Sequence, residues 1–264
     1  MIRKILSVII GSLFLCSLSI AGGKVTIIPS ASFGLRTLTF DNTVGRETGK
    51  ISGTFGNLNL GIAAAYKDFY AAVSYDTSLF TDPVSSTVDR TEPVSEIART
   101  DFSITAGYSY FSIGNHSFSA FGGYKYGETE LEPSRTELLP AGHEKPDDFL
   151  YVYDEGGFYL GHSYSVYIES AGSLSMMVAY AWLDGSLEDN GVAAERYNYE
   201  GDSTGFSFGF KWSGSLADNL SYSINLKDQF YTFSGDYQGS GIPAANVEFE
   251  ESITTLSFGL SLFL

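Results

Sequence analysis

The chain has little cysteine, histidine or positive charge. Its 264 residues include one Cys, three His and 15 Lys+Arg against 31 Asp+Glu, which gives a formal net charge of −16. One cysteine cannot form an internal disulfide, and an acidic chain offers no basic surface to neutralise nucleic-acid phosphates. Beyond the first twenty residues there is also no run of about 18 apolar residues, which excludes transmembrane helices.

Aromatic residues and glycine are abundant instead. There are 20 Phe, 18 Tyr and 29 Gly, while charged residues make up only 17% of the chain. So many aromatic residues exclude a disordered chain. The combination predicts a β-rich protein.

The N-terminal residues have the pattern of an export signal. Arg3 and Lys4 precede an apolar segment from 5 to 20, and Ser19-Ile20-Ala21 has the small residues that a signal peptidase reads. We predict a signal peptide over 1–21, which contains Cys16, and one domain over 22–264. An uncleaved anchor helix is the alternative, and the short apolar segment disfavours it.

Apolar residues alternate with small or polar ones along most of the remaining chain. From 206 to 212 the even positions are Phe or Trp and the odd positions are Ser, Gly or Lys, and 256–262 alternates in the same way. Successive side chains of a strand point to opposite faces, so each segment has one apolar and one polar or small face. A soluble β-sandwich also alternates, but its polar face is usually rich in Lys and Glu. Small residues inside and bulky aromatic residues outside are typical of a barrel wall in lipid.

Ten strands follow from this alternation. We predict them at about 25–40, 50–66, 69–80, 99–113, 117–130, 153–169, 173–187, 202–215, 220–234 and 249–264. Tight turns such as Lys67-Asp68 alternate with the longer connections 41–49, 81–98, 131–152, 188–201 and 235–248. Merging or splitting the first and sixth segments would give eight or twelve strands. The predicted fold is all-β, a transmembrane antiparallel up-and-down β-barrel.

The whole chain resembles the outer-membrane β-barrel proteins of Gram-negative bacteria. The resemblance includes the last strand, where Leu256, Phe258, Leu260 and Leu262 alternate as in the C-terminal signal of that class, although the chain ends in Leu264. The resemblance implies a location in the cell outer membrane. It also implies contact with outer-membrane lipids and lipopolysaccharide and recognition by the barrel-insertion machinery. The tight turns would then face the periplasm.

The inward face carries charges of both signs. We predict these lumen-lining residues: Arg36, Asn57, Asn59, Asp76, Asp101, Lys125, Glu169, Lys211, Asn225 and Lys227. Such charges in a narrow lumen are costly unless they are paired or hydrated. The barrel is therefore either a narrow porin-like channel for ions or small solutes, or a closed structural or surface-interaction barrel with acidic extracellular loops.

Catalysis is not expected from the pattern of residues. Omptin proteases are also ten-stranded barrels, with an Asp–His pair and an Asp pair at the rim. Here His116 falls in a predicted periplasmic turn and His162 on the apolar face, which leaves His143 in a long loop. No matching Asp pair is identifiable beside it, and Ser163, next to His162, faces the opposite side of its strand. We therefore predict no enzyme and no cofactor, and a rim enzyme of the omptin type is the less favoured alternative.

The predicted long loops are rich in carboxylates. Carboxylate oxygens are ligands for Ca²⁺ and Mg²⁺, but no loop has the ligand spacing of a calcium site. A solvated acidic rim is the preferred interpretation, and no metal site is predicted.

Aromatic residues near the strand ends predict two interfacial girdles. Amphipathic rings favour the headgroup level of a membrane. The outer girdle would contain Trp182, Tyr180, Tyr124 and Tyr126, and the inner girdle Trp212, Tyr66, Phe69 and Tyr110.

The barrel prediction is tested on refolded protein in detergent. We expect a β-type far-UV circular dichroism spectrum and a gel mobility that changes on boiling, because a closed barrel stays folded in unheated sample buffer. A mainly helical spectrum would contradict the predicted fold.

Overall fold

Extended backbone accounts for nearly all of the described residues, which are 19–20, 23–44, 47–81, 85–86, 94–133, 151–169, 171–189, 197–237 and 246–264 of a computed structural model. The ten long strands are β1 Thr26–Val44, β2 Glu47–Tyr66, β3 Phe69–Thr81, β4 Val94–Ile113, β5 His116–Pro133, β6 Tyr151–Ile168, β7 Gly172–Asp189, β8 Tyr197–Ala217, β9 Leu220–Tyr237 and β10 Asn246–Leu262. In addition, Ser19–Ile20 pairs with Gly23–Lys24, and Ser85–Ser86 pairs with β2. The described residues contain no helix of the length and apolarity needed to cross a membrane.

The ten long strands close into one barrel. Each pairs antiparallel with the next along the chain, and β10 pairs with β1. The predicted up-and-down barrel and its count of ten strands are therefore confirmed. A path of paired residues that leaves β9 at Ile224 and crosses the other nine strands returns to β9 at Asp236, twelve residues further on. With ordinary strand spacings this stagger corresponds to a tilt of about 40° and a backbone radius of about 10 Å.

The strands extend further from the tight turns than the alternation predicts. Most of the predicted connection 41–49 is strand, because β1 runs to Val44 and β2 begins at Glu47. Across this ladder the Lys50 ammonium lies 3.1 Å from the Asp41 carboxylate. Backbone pairing continues where the outward positions become polar, so the apolar alternation ends before the strand does. The predicted signal peptide and the centres of the other long connections lie outside the described residues, except for Ser19–Ile20 and Ser85–Ser86.

Outward side chains form an apolar band bordered by the predicted aromatic residues. At one edge Tyr124, Tyr126, Tyr180 and Trp182 are all exposed on β5 and β7. Further along these strands the outward positions are acidic, as at Glu128 and Asp184 of β5 and β7. The apolar band therefore ends at these aromatic residues.

The other edge of the band lies at the tight turns. Phe69 and Tyr110 are exposed there, and Tyr66 is half-buried beside Lys67. The indole Nε1 of Trp212 donates a hydrogen bond of 2.7 Å to the carbonyl of Ala171 in the turn before β7. The hydrogen bond holds the polar edge of the indole at the end of the barrel.

Depth-dependent fluorescence quenching tests the two girdles. Lipids brominated near the headgroup should quench Trp182 and Trp212 more strongly than lipids brominated at the chain ends. Trp182→Phe and Trp212→Phe variants separate the two signals. If either indole is quenched most strongly at the bilayer centre, its girdle is wrongly assigned.

Candidate functional site

The lumen is divided along the barrel axis into three regions. Nearest the tight turns is a cavity of about 740 Å³, here called the cup. Above it lies an ionic layer formed by the buried or partly buried Arg36, Asp76, Arg99, Asp101, Lys125, Glu155 and Glu251. Beyond that, toward the long connections, buried apolar side chains form an apolar layer: Leu38, Phe40, Phe55, Ile97, Tyr153, Leu183, Phe233, Val247, Phe249 and Ile253. Ala181 and Tyr231 pack against this layer and also line the cup.

Arg99 is the centre of the ionic layer. Its guanidinium has no exposed surface and contacts three carboxylates, those of Asp101 at 2.9 Å, Glu155 at 2.8 Å and Glu251. It also donates to the Thr129 hydroxyl at 2.9 Å. Because Arg99 is on β4 and Glu251 is on β10, four strands away around a ring of ten, this contact crosses the lumen. A cation that bonds to three strands besides its own obstructs the passage at this level.

Arg36 and Lys125 extend the ionic layer to the rest of the wall. The Arg36 guanidinium lies 2.8 Å from Asp76 and 2.7 Å from Asp101, which places it between β3 and β4. Lys125 contacts the same Glu155 carboxylate as Arg99, and its ammonium lies 3.9 Å from the centre of the Tyr231 ring. Each of these buried cations therefore has a carboxylate partner, which a charge needs in a region of low dielectric.

Aromatic rings fill the lumen in the apolar layer. The Tyr153 ring lies edge-on to Phe249, with centroids 4.6 Å apart, and Phe233 stacks on Phe249 at 4.8 Å. Phe40 completes the group from β1, at 5.7 Å from Phe249. These four rings come from β1, β6, β9 and β10 and are all buried. Rings from four separate strands therefore pack against one another inside the barrel.

The cup contains most of the residues that the sequence places in the lumen. Its wall includes Arg36, Asn57, Asn59, Asp76, Asp101, Lys125, Lys211, Asn225 and Lys227. Glu169 is not among them. It follows the last residue of β6 and is exposed in the turn, because the alternation was extended one residue beyond the strand.

The apolar alternation does not identify three central residues of the ionic layer. Arg99, Glu155 and Glu251 lie at or near the beginning of predicted strands, where the apolar alternation is weak. Arg99 lies two residues before Asp101 on the same strand, so both side chains face the lumen. This spacing is the feature of the sequence that could identify Arg99. Their mutual contacts depend on the stagger of the barrel, which no local pattern encodes.

The two described histidines lie away from the ionic layer. The His116 ring is at the tight-turn end, where its Nδ1 is 2.7 Å from the Tyr164 hydroxyl. His162 faces outward and lies edge-on to Tyr110, with centroids 6.2 Å apart. His143 is outside the described residues. Within the described segments no three His, Cys, Asp or Glu side chains are grouped as metal ligands would be.

Carboxylates are crowded on the outer surface above the aromatic residues. The Tyr126 hydroxyl donates to Asp154 and also lies 3.2 Å from Glu128. Partial burial and the nearby Asp154 carboxylate raise the pKa of Glu128. This surface is acidic, in agreement with the composition.

Comparison with known proteins identifies the fold. Neither protein-family models nor curated proteins gave a match. Among solved structures the chain is similar to the outer membrane protease OmpT from Escherichia coli, with a TM-score of 0.62 and 14% identity over 90% of this chain and 97% of that one. Two further matches are the translocator domain of the autotransporter NalP from Neisseria meningitidis (TM-score 0.41, 14% identity, 98% and 93% covered) and Neisserial surface protein A (TM-score 0.34, 7% identity, 90% and 96% covered). The similarity to OmpT shows that the chain has the fold of the outer-membrane β-barrels.

The ionic layer predicts a large effect of Arg99→Met on stability. Removing one partner of a buried ion pair leaves uncompensated charge and costs about 3–5 kcal/mol. The same change at Lys50, whose pair with Asp41 is exposed, should cost less than about 1 kcal/mol. Urea unfolding of the refolded barrel in lipid, followed by tryptophan fluorescence, compares the two.

A double variant tests whether unpaired charge causes the loss of stability in Arg99→Met. Adding Glu251→Gln to Arg99→Met removes one of the unpaired carboxylates and should recover part of the lost stability. Equal losses for the Arg99 and Lys50 variants would contradict a structural role for the ionic layer.

Proposed function

We propose that the protein is a closed outer-membrane barrel that acts as a structural or surface-interaction protein and does not conduct solutes as an open pore. Its fold and its outward apolar band support a location in the outer membrane. The observation that carries the proposal is the seal formed by the ionic and apolar layers. Arg99, Glu155 and Glu251 side chains in the first layer have no exposed surface, and Phe233 in the second has none.

The two layers oppose passage in different ways. A hydrated ion that reaches the ionic layer would have to separate Arg99 from three carboxylates, and each of these charges is costly to leave unpaired. Beyond it, an ion would have to enter a region of aromatic rings that offers few polar groups to replace its water. The open-channel hypothesis from the sequence has less support, because the cup ends at the ionic layer.

The outer end of the barrel supports the surface role. Beyond the aromatic residues, outward carboxylates such as Asp154, Asp184 and Asp202 remain on paired strands, so they are held on a rigid wall. Carboxylates at this height suit bridging by divalent cations to the phosphates of lipopolysaccharide. We therefore propose lipopolysaccharide as the lipid partner of this surface and no catalytic activity.

Planar bilayer recording tests the closed state. Refolded wild-type protein should give no unitary conductance in 1 M KCl. A variant with Tyr153, Phe233 and Phe249 changed to Ala and with Arg99 and Glu251 changed to Ser should give stepwise conductance, because both sealing layers lose their central groups.

The matched control removes charges below the seal. Lys211→Ala with Lys227→Ala widens the cup but leaves both layers intact, so this variant should stay closed. Unitary conductance of the wild type would contradict the proposal. Conductance of the lysine variant alone would place the seal in the cup. A five-site variant that folds but gives no conductance would show that the two layers are not the barrier.

A further inference from the structure

The cup contains two lysines without partners. Lys211 on β8 and Lys227 on β9 line the cavity and make no hydrogen bond or ion pair within the described part of the chain. Asp76 and Asp101 are the carboxylates in the cup wall, and both are bound to Arg36. Below the ionic layer the cup is therefore a cationic surface inside an acidic protein.

The two lysines are close enough to act on one ligand. Lys227 is paired with Gly209 and Lys211 with Asn225, so the lysines are diagonal neighbours on adjacent strands. Such neighbours are about 7–8 Å apart, within reach of long side chains that converge. Gly209 adds no side chain of its own between them, and the Met177 side chain from β7 packs over this glycine.

Polar groups beside the lysines can complete an anion site. The Asn225 amide lies 3.3 Å from the Ser223 hydroxyl and 3.4 Å from that of Ser257, and all three residues line the cup. The hydroxyl hydrogens of Ser223 and Ser257 can rotate toward an acceptor. The ammonium groups supply charge, and the hydroxyl groups supply neutral donors.

Another part of the cup wall is aromatic. Phe121 and Tyr159, on β5 and β6, are 6.3 Å apart between ring centroids, and Tyr70 from β3 also lines the cavity. A hydrogen bond between the hydroxyl groups of Tyr159 and Thr105 fixes the orientation of the Tyr159 ring. These strands lie two to five positions from β8 and β9 around the ring. A ligand would meet charge on one side and apolar surface on the other.

We propose that the cup binds a small organic anion, with Lys211 and Lys227 holding a phosphate, sulfonate or carboxylate group and the aromatic wall covering its apolar part. The cavity of about 740 Å³ is of the size that takes small-molecule ligands. This proposal goes beyond the closed barrel, because the cup lies below the seal and is present whether or not the seal conducts.

Access is from the tight-turn end. Ser165, Ser175 and Ser261 line the cup close to the turns, and Lys211 is exposed. The exposed acids Asp68, Glu169 and Asp218 lie at this end. Salt screens such charges over about 8 Å at physiological ionic strength, so they slow the approach of an anion more than they weaken its binding.

Titration calorimetry with phenyl phosphate tests the proposal on refolded protein in a non-ionic detergent. We expect one saturable site whose affinity falls with added salt. Lys211→Gln and Lys227→Gln should each raise the Kd at least tenfold, and Lys211→Arg should restore most of the binding. Lys67→Asn, which removes a cation in a turn at the same end of the barrel, should leave the Kd within twofold.

Two further probes separate the parts of the site. Phenyltrimethylammonium should not bind, and inorganic phosphate should bind at least tenfold more weakly than phenyl phosphate. Absence of saturable binding, equal binding of the cation, or an unchanged Kd in the Lys211→Gln, Lys227→Gln double variant would overturn the proposal. Equal affinity for inorganic phosphate would overturn the role of the aromatic wall. A conducting wild type that still binds phenyl phosphate would refute the closed barrel and leave this site standing.

Discussion

Closure of the sheet is the constraint on which the rest of this structure depends. In lipid an unpaired strand edge leaves backbone N–H and C=O groups without partners, at a cost of several kcal/mol each. The pairing of β10 with β1, from Val247 opposite Val44 to Ser261 opposite Ser30, removes both edges. Once the barrel is closed, each strand has one face toward lipid and one toward the lumen, and the period of two follows from this division.

Closure also creates a lumen that has to be filled or hydrated. A ten-stranded barrel is wider than the eight-stranded kind that side chains just fill. This chain fills the upper half with arginines and aromatic rings that reach across the axis. In the lower half many inward positions are Ser, Gly or Asn, so that longer side chains such as Lys211, Lys227 and Tyr159 border a cavity. The asymmetry along the axis thus comes from the side chains that face the lumen, because the same ten strands form the wall at both levels.

The sequence predicts the strands of the barrel wall better than the contacts between side chains inside the lumen. Period-two alternation places Arg36, Lys125 and Lys227 on the inward face, because facing is a local property of a strand. It also places Glu169 there, although the strand ends before this residue. It does not find the contact between Arg99 and Glu251, which are 152 residues apart. That contact depends on how far each strand is staggered against the next, and the stagger accumulates around the whole barrel.

The ionic layer depends both on which side chains face the lumen and on closure of the barrel. Arg99 is contributed by β4, whereas Glu251 is on β10 and reaches Arg99 only when the last strand is in place. Thr255 of the same strand lies 3.3 Å from Arg36 of β1. Before β10 pairs with β1, Arg99 therefore lacks one of its carboxylates and Arg36 lacks a hydrogen-bond partner. The seal across the lumen is completed in the same step as the backbone ladder, so the closed wall and the closed lumen depend on one strand.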